Sequence, residues 1–254
     1  CMDGTLYIVA TPIGNLEDIS ARALRILQEV ALIAAEDTRH TQKLLTHFGI
    51  TTPLISYFRE KEVSRAETII AKLQAGESIA LVSDAGTPGI SDPGAVLVAR
   101  ARAAGIKLVP IPGPSALSAA VCCAGLEPGS FLFLGFLPVK SAARRKLLGA
   151  VAQSPYPLVI YESPHRIHRL ISDAAALLGN RTVLWAREIS KKYEEIEETS
   201  LEQLAASINQ AKIRGELVII IHPGEIQPVH GETLEEILSW YRDNSDLSLK
   251  DVCK

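Results

Sequence analysis

Short apolar runs alternate with longer amphipathic stretches along most of the chain. The runs Leu6–Ala10, Ala31–Ala35, Leu54–Tyr57, Ile79–Val82 and Lys107–Ile111 predict strands. Between them, Asp18–Glu29, Thr38–Phe48, Glu60–Ala75 and Pro93–Ala104 carry helical spacing, with Leu24, Leu27 and Val30 recurring on one face. Gly76 and Gly105 stand just past two of these helices, where a residue of positive φ commonly ends a helix. Strand–helix alternation of this kind predicts a parallel sheet with helices on both faces. The spacing changes after Gly125-Leu126-Glu127-Pro128-Gly129. Strands are then predicted at Phe131–Phe136, Leu158–Tyr161, Val183–Ala186 and Leu217–Ile221, and helices at Lys140–Ala152, Pro164–Leu178 and Ser200–Ile213. The stretch Ser190–Thr199 fits a polar strand or an exposed helix.

The pattern implies two α/β domains joined near residues 113–130, the first over 1–113 and the second over 114–228. Residues 229–254 are expected to open a helical module. Thr233–Tyr241 is amphipathic and Ser248-x-x-Asp251 has the form of a capping box, so the module is expected to continue beyond Lys254.

Composition narrows the class. With 254 residues, 47% of them hydrophobic, the chain can bury two cores. Aromatic residues make up only 5%, and the apolar positions are mostly Ala, Ile, Leu and Val, as suits buried parallel strands. A net charge of −3 gives no global sign of a nucleic-acid or membrane partner, so any such surface must be local. The four cysteines show no CxxC spacing and no secretory leader is expected, so a reduced, cytoplasmic protein is expected as well. No apolar run approaches a membrane span.

Ligands of parallel sheets gather where loops leave the C-terminal strand ends. Three such loops are unusual. SDAGTPGISDPG, Ser83–Gly94, packs three glycines and two prolines after a strand and places Asp84 at the strand end. Asp92-Pro93 reads as N-cap and first turn of the next helix, which accounts for Asp92 without a ligand. ATPIGN, Ala10–Asn15, follows the first strand. PIPGPSALSAA, Pro110–Ala120, leads into a helix of small residues, with Ser115 placed to cap it or to meet a ligand. None of the three holds a Lys or Arg, and neither a P-loop nor GxGxxG is present, so a polyphosphate is disfavoured. A neutral-to-cationic, adenosine-like ligand such as S-adenosylmethionine fits better.

Charge clusters supply the remaining chemistry. AEDTRHT, Ala35–Thr41, sets Glu36, Asp37 and Arg39 at a strand end, with Asp37 or Thr38 as cap. YESPHRIHR, Tyr161–Arg169, repeats the device, with Ser163 as cap and Arg166 in a first helical turn, where a cation opposes the helix dipole. Lys140, Arg144, Arg145 and Lys146 lie on one predicted helix, and Arg166, Lys191 and Lys192 extend a basic set able to line a polyanion groove. The histidines show no metal-ligand spacing, and no metal is expected.

The segments LYIVATPIGNLEDIS, AAEDTRHTQKLL, LVSDAGTPGISDPG, PGPSA, FLGFLPVK and YESPHRI follow one another between Leu6 and Gly224. Together they resemble the bacterial 16S rRNA (cytidine-2′-O)-methyltransferase I family of the tetrapyrrole-methylase superfamily. The resemblance implies a class III methyltransferase fold: two α/β domains with S-adenosylmethionine in the cleft between them, assembled as a homodimer. It implies the small ribosomal subunit as partner and the ribose of a decoding-centre cytidine in 16S rRNA as acceptor. Cofactor contacts are implied for Pro12, Ile13, Asp84, Ala85, Gly86, Ile90, Ser115, Ala116, Tyr161, Glu216 and Leu217. Glu36 or Asp37 is expected to act as general base, with Arg39 and Arg166 positioning phosphates. The alternatives are a precorrin-type tetrapyrrole C-methyltransferase on the same scaffold and a non-catalytic ribosome-assembly factor.

Overall fold

The computed structural model describes residues 4–58, 62–126, 129–208, 213 and 215–224. The helices predicted within 229–254, the start of the one predicted at Glu60 and residues 209–212 of the one predicted at Ser200–Ile213 lie outside them.

Strands β1 (Thr5–Val9), β2 (Leu32–Ala35), β3 (Leu54–Ser56), β4 (Ile79–Val82) and β5 (Lys107–Ile111) form one sheet in the order β3-β2-β4-β1-β5. Every pairing in it is parallel. All four residues of β4 are buried, because that strand is central and covered on both faces. Helices α1 (Ala21–Glu29) and α2 (Thr38–His47) cover one face, where Leu27 and Leu45 meet Val9, Ile33 and Val82. Helices α3 (Glu62–Gln74) and α4 (Ala95–Ala103) cover the other, where Ile69, Leu73 and Leu97 meet Leu6, Ile79 and Leu81. Gly76 and Gly105 end α3 and α4 at φ of 94° and 72°. The chain leaves β1 for β2 on one side and later returns to β5 on the other. The loops after β1, β4 and β5 therefore converge at a topological switch point.

The second sheet is mixed. Strands β6 (Leu132–Phe136), β7 (Leu158–Glu162), β8 (Thr182–Arg187), β9 (Glu195–Ser200) and β10 (Leu217–Ile221) run in the order β6-β7-β10-β8-β9. Only β6 and β7 pair in parallel. Helices α6 (Ser141–Ala150), α7 (Ile167–Leu178) and α8 (Leu201–Ile208) bury one face around Leu158, Ile160, Trp185 and Ile219. Helix α5 (Ala116–Cys123) lies on the opposite face, its Ala120 against Val159, Leu184, Val218 and Ile220. Ser190–Thr199 resolves into a turn followed by β9, whose sequence EIEETS suits a charged, aggregation-resistant edge.

Candidate active site: an acidic cleft between the sheets

The three unusual loops are stitched into one unit. The Thr11 N–H donates to the Gly86 carbonyl at 2.9 Å, and the Gly86 N–H returns a bond to the Thr11 carbonyl at 3.0 Å. The Thr11 hydroxyl donates to the Ser83 carbonyl, and the Thr87 hydroxyl to the Pro114 carbonyl at 3.1 Å. Gly86 permits this closure through its φ of 81°, a conformation that side-chain-bearing residues rarely adopt. The loop after β1 is thus fixed to the loop after β4, and that one to the loop after β5.

One expectation is corrected here. Helix α4 begins at Ala95, not Pro93, and its N-cap is Gly94, at φ 140°. The Gly94 N–H donates to the Glu62 carboxylate of α3 at 3.0 Å, so the helix end is satisfied from a neighbouring helix. Asp92 is therefore not a cap. It lines the cleft instead. Likewise α7 begins at Ile167, after a turn in which the Ser163 carbonyl accepts from Arg166 and Ile167, so Ser163 is not its cap.

The cleft has a volume of about 250 Å³ and is walled by both sheets. Glu36, Asp84, Asp92, Glu162, Glu188 and Glu216 line it, against the single cation Lys191 among the described residues. Lys191 packs over Gly14 and pairs with Glu188 at 2.8 Å. Burial, then the Glu36 charge, then those of Glu216 and Asp84 push the Asp92 carboxyl up from 3.8 to about 6, against a hydrogen bond from Ser83. On the opposite wall the Tyr161 hydroxyl accepts from the Leu117 N–H at 2.9 Å, which ties β7 to α5, and burial raises its pKa. Glu162 is 1% exposed. Its Oε1 accepts from the Ser163 N–H at 2.8 Å and meets Arg166 at 3.3 Å, while Oε2 is buried without a partner. Burial raises this carboxyl too, opposed by the Ser163 bond and the Arg166 charge. Among described non-glycine residues, φ is positive at Ser91, Glu188 and Ser190. Glu188 lines the cleft, Ser91 precedes Asp92, and Ser190 precedes Lys191.

Ten of the eleven expected cofactor residues line this cleft: Ile13, Asp84, Ala85, Gly86, Ile90, Ser115, Ala116, Tyr161, Glu216 and Leu217. Pro12 does not. Ser115 occupies the N-cap of α5 without a capping side-chain bond, so its hydroxyl is not committed to the helix. Of the residues expected at the chemistry, Glu36 is in the wall. Asp37 caps α2, and its backbone N–H donates to Asp84 at 2.9 Å. Arg39 holds the Asp37 carboxyl by side-chain and backbone bonds and lowers its pKa to about 2. Neither Asp37 nor Arg39 lines the cleft.

The basic set is divided. Lys140, Arg145 and Lys192 are exposed. Arg144 is corrected as an RNA contact: it is 4% exposed and bound to Asp173 at 2.6 Å, an interior pair completed by Arg145 at 3.0 Å. Burial alone would raise the Asp173 carboxyl, but the two arginines outweigh it and hold it low. Arg166 is drawn inward by Glu162 and the Leu137 carbonyl. The wall also contains Thr87, Asp92, Phe136, Glu162, Glu188, Ile189 and Val218, which sequence reasoning missed. Glu162 directly follows Tyr161 at a strand end and was legible by the same rule that found Glu36.

No group of three or more His, Cys, Asp or Glu among the described residues is placed to hold a metal, and no described helix is long and apolar enough to cross a membrane. An all-parallel sheet, a mixed sheet and a cleft lined by both, together with a family match over most of the chain, make this a methylase of the tetrapyrrole class. The family model "Tetrapyrrole (Corrin/Porphyrin) Methylases" matches residues 5–205. Solved structures share the fold. Diphthine synthase superposes with a TM-score of 0.69 at 16% identity over 97% of this chain and 98% of that one. A cobalt precorrin-4 methyltransferase gives 0.62 at 16% identity over 86% and 94%. Sequence relatives are more specific. The Ribosomal RNA small subunit methyltransferase I of Pseudomonas aeruginosa is 51% identical over 223 residues, 86% of this chain and 78% of that protein. Its namesake from Escherichia coli O157:H7 is 50% identical over 227 residues, 88% and 79%. The chain belongs to the ribosomal RNA small subunit methyltransferase I family.

Proposed function

We propose that the protein transfers a methyl group from S-adenosylmethionine to the ribose 2′-oxygen of a decoding-centre cytidine of 16S rRNA, cytidine 1402 in the usual numbering. The observation that carries the cofactor assignment is the cleft itself: six carboxylates against one lysine, with no basic residue in the three loops. Such a wall repels phosphate and favours a cation. S-adenosylmethionine carries a sulfonium and an ammonium and no phosphate, and it supplies an electrophilic methyl. Asp84, the Gly86 backbone, Ile90, Ser115, Ala116 and Leu217 would hold it, with the apolar members against adenine. The two sheets act as the two domains proposed from the sequence, 1–113 and 114–228, with the cofactor between them.

Alignment of acceptor and methyl supplies much of the rate, on the order of 7–11 kcal/mol for a well-held geometry. The hydroxyl proton is assigned to Asp92, which lines the cleft beside Glu36; burial, then the Glu36 charge, push its carboxyl up to about 6. Asp37, held at about 2, is a far weaker acceptor. The RNA assignment is supported by the names of relatives about half identical over most of the chain. The exposed Lys140, Arg145 and Lys192 are the backbone contacts consistent with it, and the protein works in the cytoplasm as a homodimer.

Calorimetric titration tests the cofactor. S-adenosylmethionine binds the unaltered protein, and Asp84→Ala weakens it at least 10-fold, because that substitution removes a wall carboxylate that would accept from the cofactor, a charged contact worth about 1.5–3 kcal/mol. Equal binding by the variant would contradict the assignment.

A further inference from the structure

Phe136 is a large aromatic residue left 48% exposed at the edge of the cleft, and three devices hold it there. The first is a bulge. Leu132 and Phe133 pair in register with Leu158 and Val159, but Gly135 and Phe136 pair with Ile160 and Tyr161, so Leu134 is an extra residue. Strict alternation would place Phe136 on the face of Leu134, towards α6 and α7. The bulge instead puts Phe136 with Phe133 against Tyr161, while Leu137 joins Leu134 in the opposite core. The second device is the space at Gly135, where φ is 61° and a Cβ would lie 2.8 Å from the Ser91 hydroxyl. Only glycine lets the bulged strand come this near the loop after β4. The third is a braced backbone. The Leu137 carbonyl accepts from Arg166, and the Pro138 and Val139 carbonyls accept from the buried Arg144.

The ring itself gains little from this. It makes one edge-to-face contact, 5.6 Å from Tyr161 with 64° between planes, and remains half in solvent. The buried Arg144, the part-buried Arg166 and a bulge thus fix the backbone around an aromatic ring without burying the ring. Val139, 69% exposed, and the exposed Lys140 follow on the same segment, with the half-exposed Arg145 on the helix they start. An aromatic ring beside cations is the surface that meets single-stranded RNA, with a base on the ring and phosphates on the lysine and arginine.

We propose that Phe136 is the platform on which an unpaired nucleobase of the acceptor RNA stacks as its ribose enters the cleft. This rests on the RNA-methylating function proposed above. Phe136 is a positioning residue: it holds the acceptor and takes no part in bond exchange.

The test measures methyl transfer from tritiated S-adenosylmethionine to unmodified small-subunit particles, with cofactor affinity read separately by calorimetry. Phe136→Ala is expected to lower kcat/KM for the particles 10- to 100-fold, mainly through KM, with cofactor affinity within about threefold; loss of stacking on one base is of this size. Phe136→Tyr restores the activity, and Phe136→Leu, which keeps apolar area without a π face, restores only a minor part. Transfer by Phe136→Ala within twofold of the unaltered protein overturns the proposal. So does full rescue by leucine, loss of cofactor affinity alongside activity, or a shift in sedimentation showing that the ring instead covers a second copy of the chain. If the unaltered protein labels no RNA, the function proposed above fails as well, and that arm is read before any variant.

Discussion

Replacing Asp92 by asparagine separates stability from chemistry. The folded protein holds the Asp92 proton to about pH 6, against 3.8 for an ordinary aspartate. Two pKa units correspond to about 3 kcal/mol. Asp92 is partly exposed, and screening reduces the realisable figure to about 1–2 kcal/mol. The sign follows from linkage. A folded-state pKa raised above the unfolded value gives stability that is complete below 3.8 and is lost as pH rises through about 6. At pH 8 the wild-type protein therefore carries an unfavourable carboxylate that Asp92→Asn removes, while the amide oxygen still accepts from Ser83. Thermal unfolding without cofactor should place the variant about 2–6 °C above wild type at pH 8, with the gap closing towards pH 4. Methyl transfer should fall on the order of 100-fold or more, the usual weight of a general base. A variant no more stable at pH 8, or one that transfers methyl within about threefold of wild type, would refute the reasoning.

Further predictions concern the framework. Arg144→Met leaves Asp173 buried with only Arg145 beside it, so urea unfolding should show a loss of about 3–5 kcal/mol, whereas the half-exposed Arg145→Ala should cost less than about 1. Gly135→Ala forces a side chain into φ 61° beside Ser91 and should cost about 1–2 kcal/mol, with weaker RNA transfer as Phe136 shifts. By contrast, Gly149→Ala meets open space within α6 and should stabilise the protein by about 0.5 kcal/mol; equal effects at the two glycines would undermine the conformational explanation.

Legibility in the sequence followed what each residue must satisfy locally. The run IALV announced β4, because a strand covered on both faces has no polar position to hide it. The loops were conspicuous because glycine and proline mark conformations that other residues avoid, and ten of the eleven expected cofactor residues do line the cleft. Glu216 and Leu217 became visible only through the family resemblance, since nothing local distinguishes them. Other features depended on distant partners. Asp92-Pro93 has the local form of a cap, and only Glu62, which satisfies the true N-terminus of α4, shows otherwise. Arg144 looked like surface charge because Asp173 lies on another helix. Phe136 was hidden by the extra residue in β6, which breaks the alternation that would have assigned its face. The polar β9 fits no apolar template, so the mixed order of the second sheet could not be read in advance.

The central claim is most directly tested by the product. Unmodified small-subunit particles are incubated with the protein and isotopically labelled S-adenosylmethionine, and the 16S rRNA is digested to nucleosides for mass spectrometry. The account predicts label in 2′-O-methylcytidine, from a single position, and at subsaturating cofactor at least about 10-fold less of it with Asp84→Ala. Label on a base carbon, label in a tetrapyrrole but not in RNA, or no transfer by a protein that binds the cofactor would contradict it.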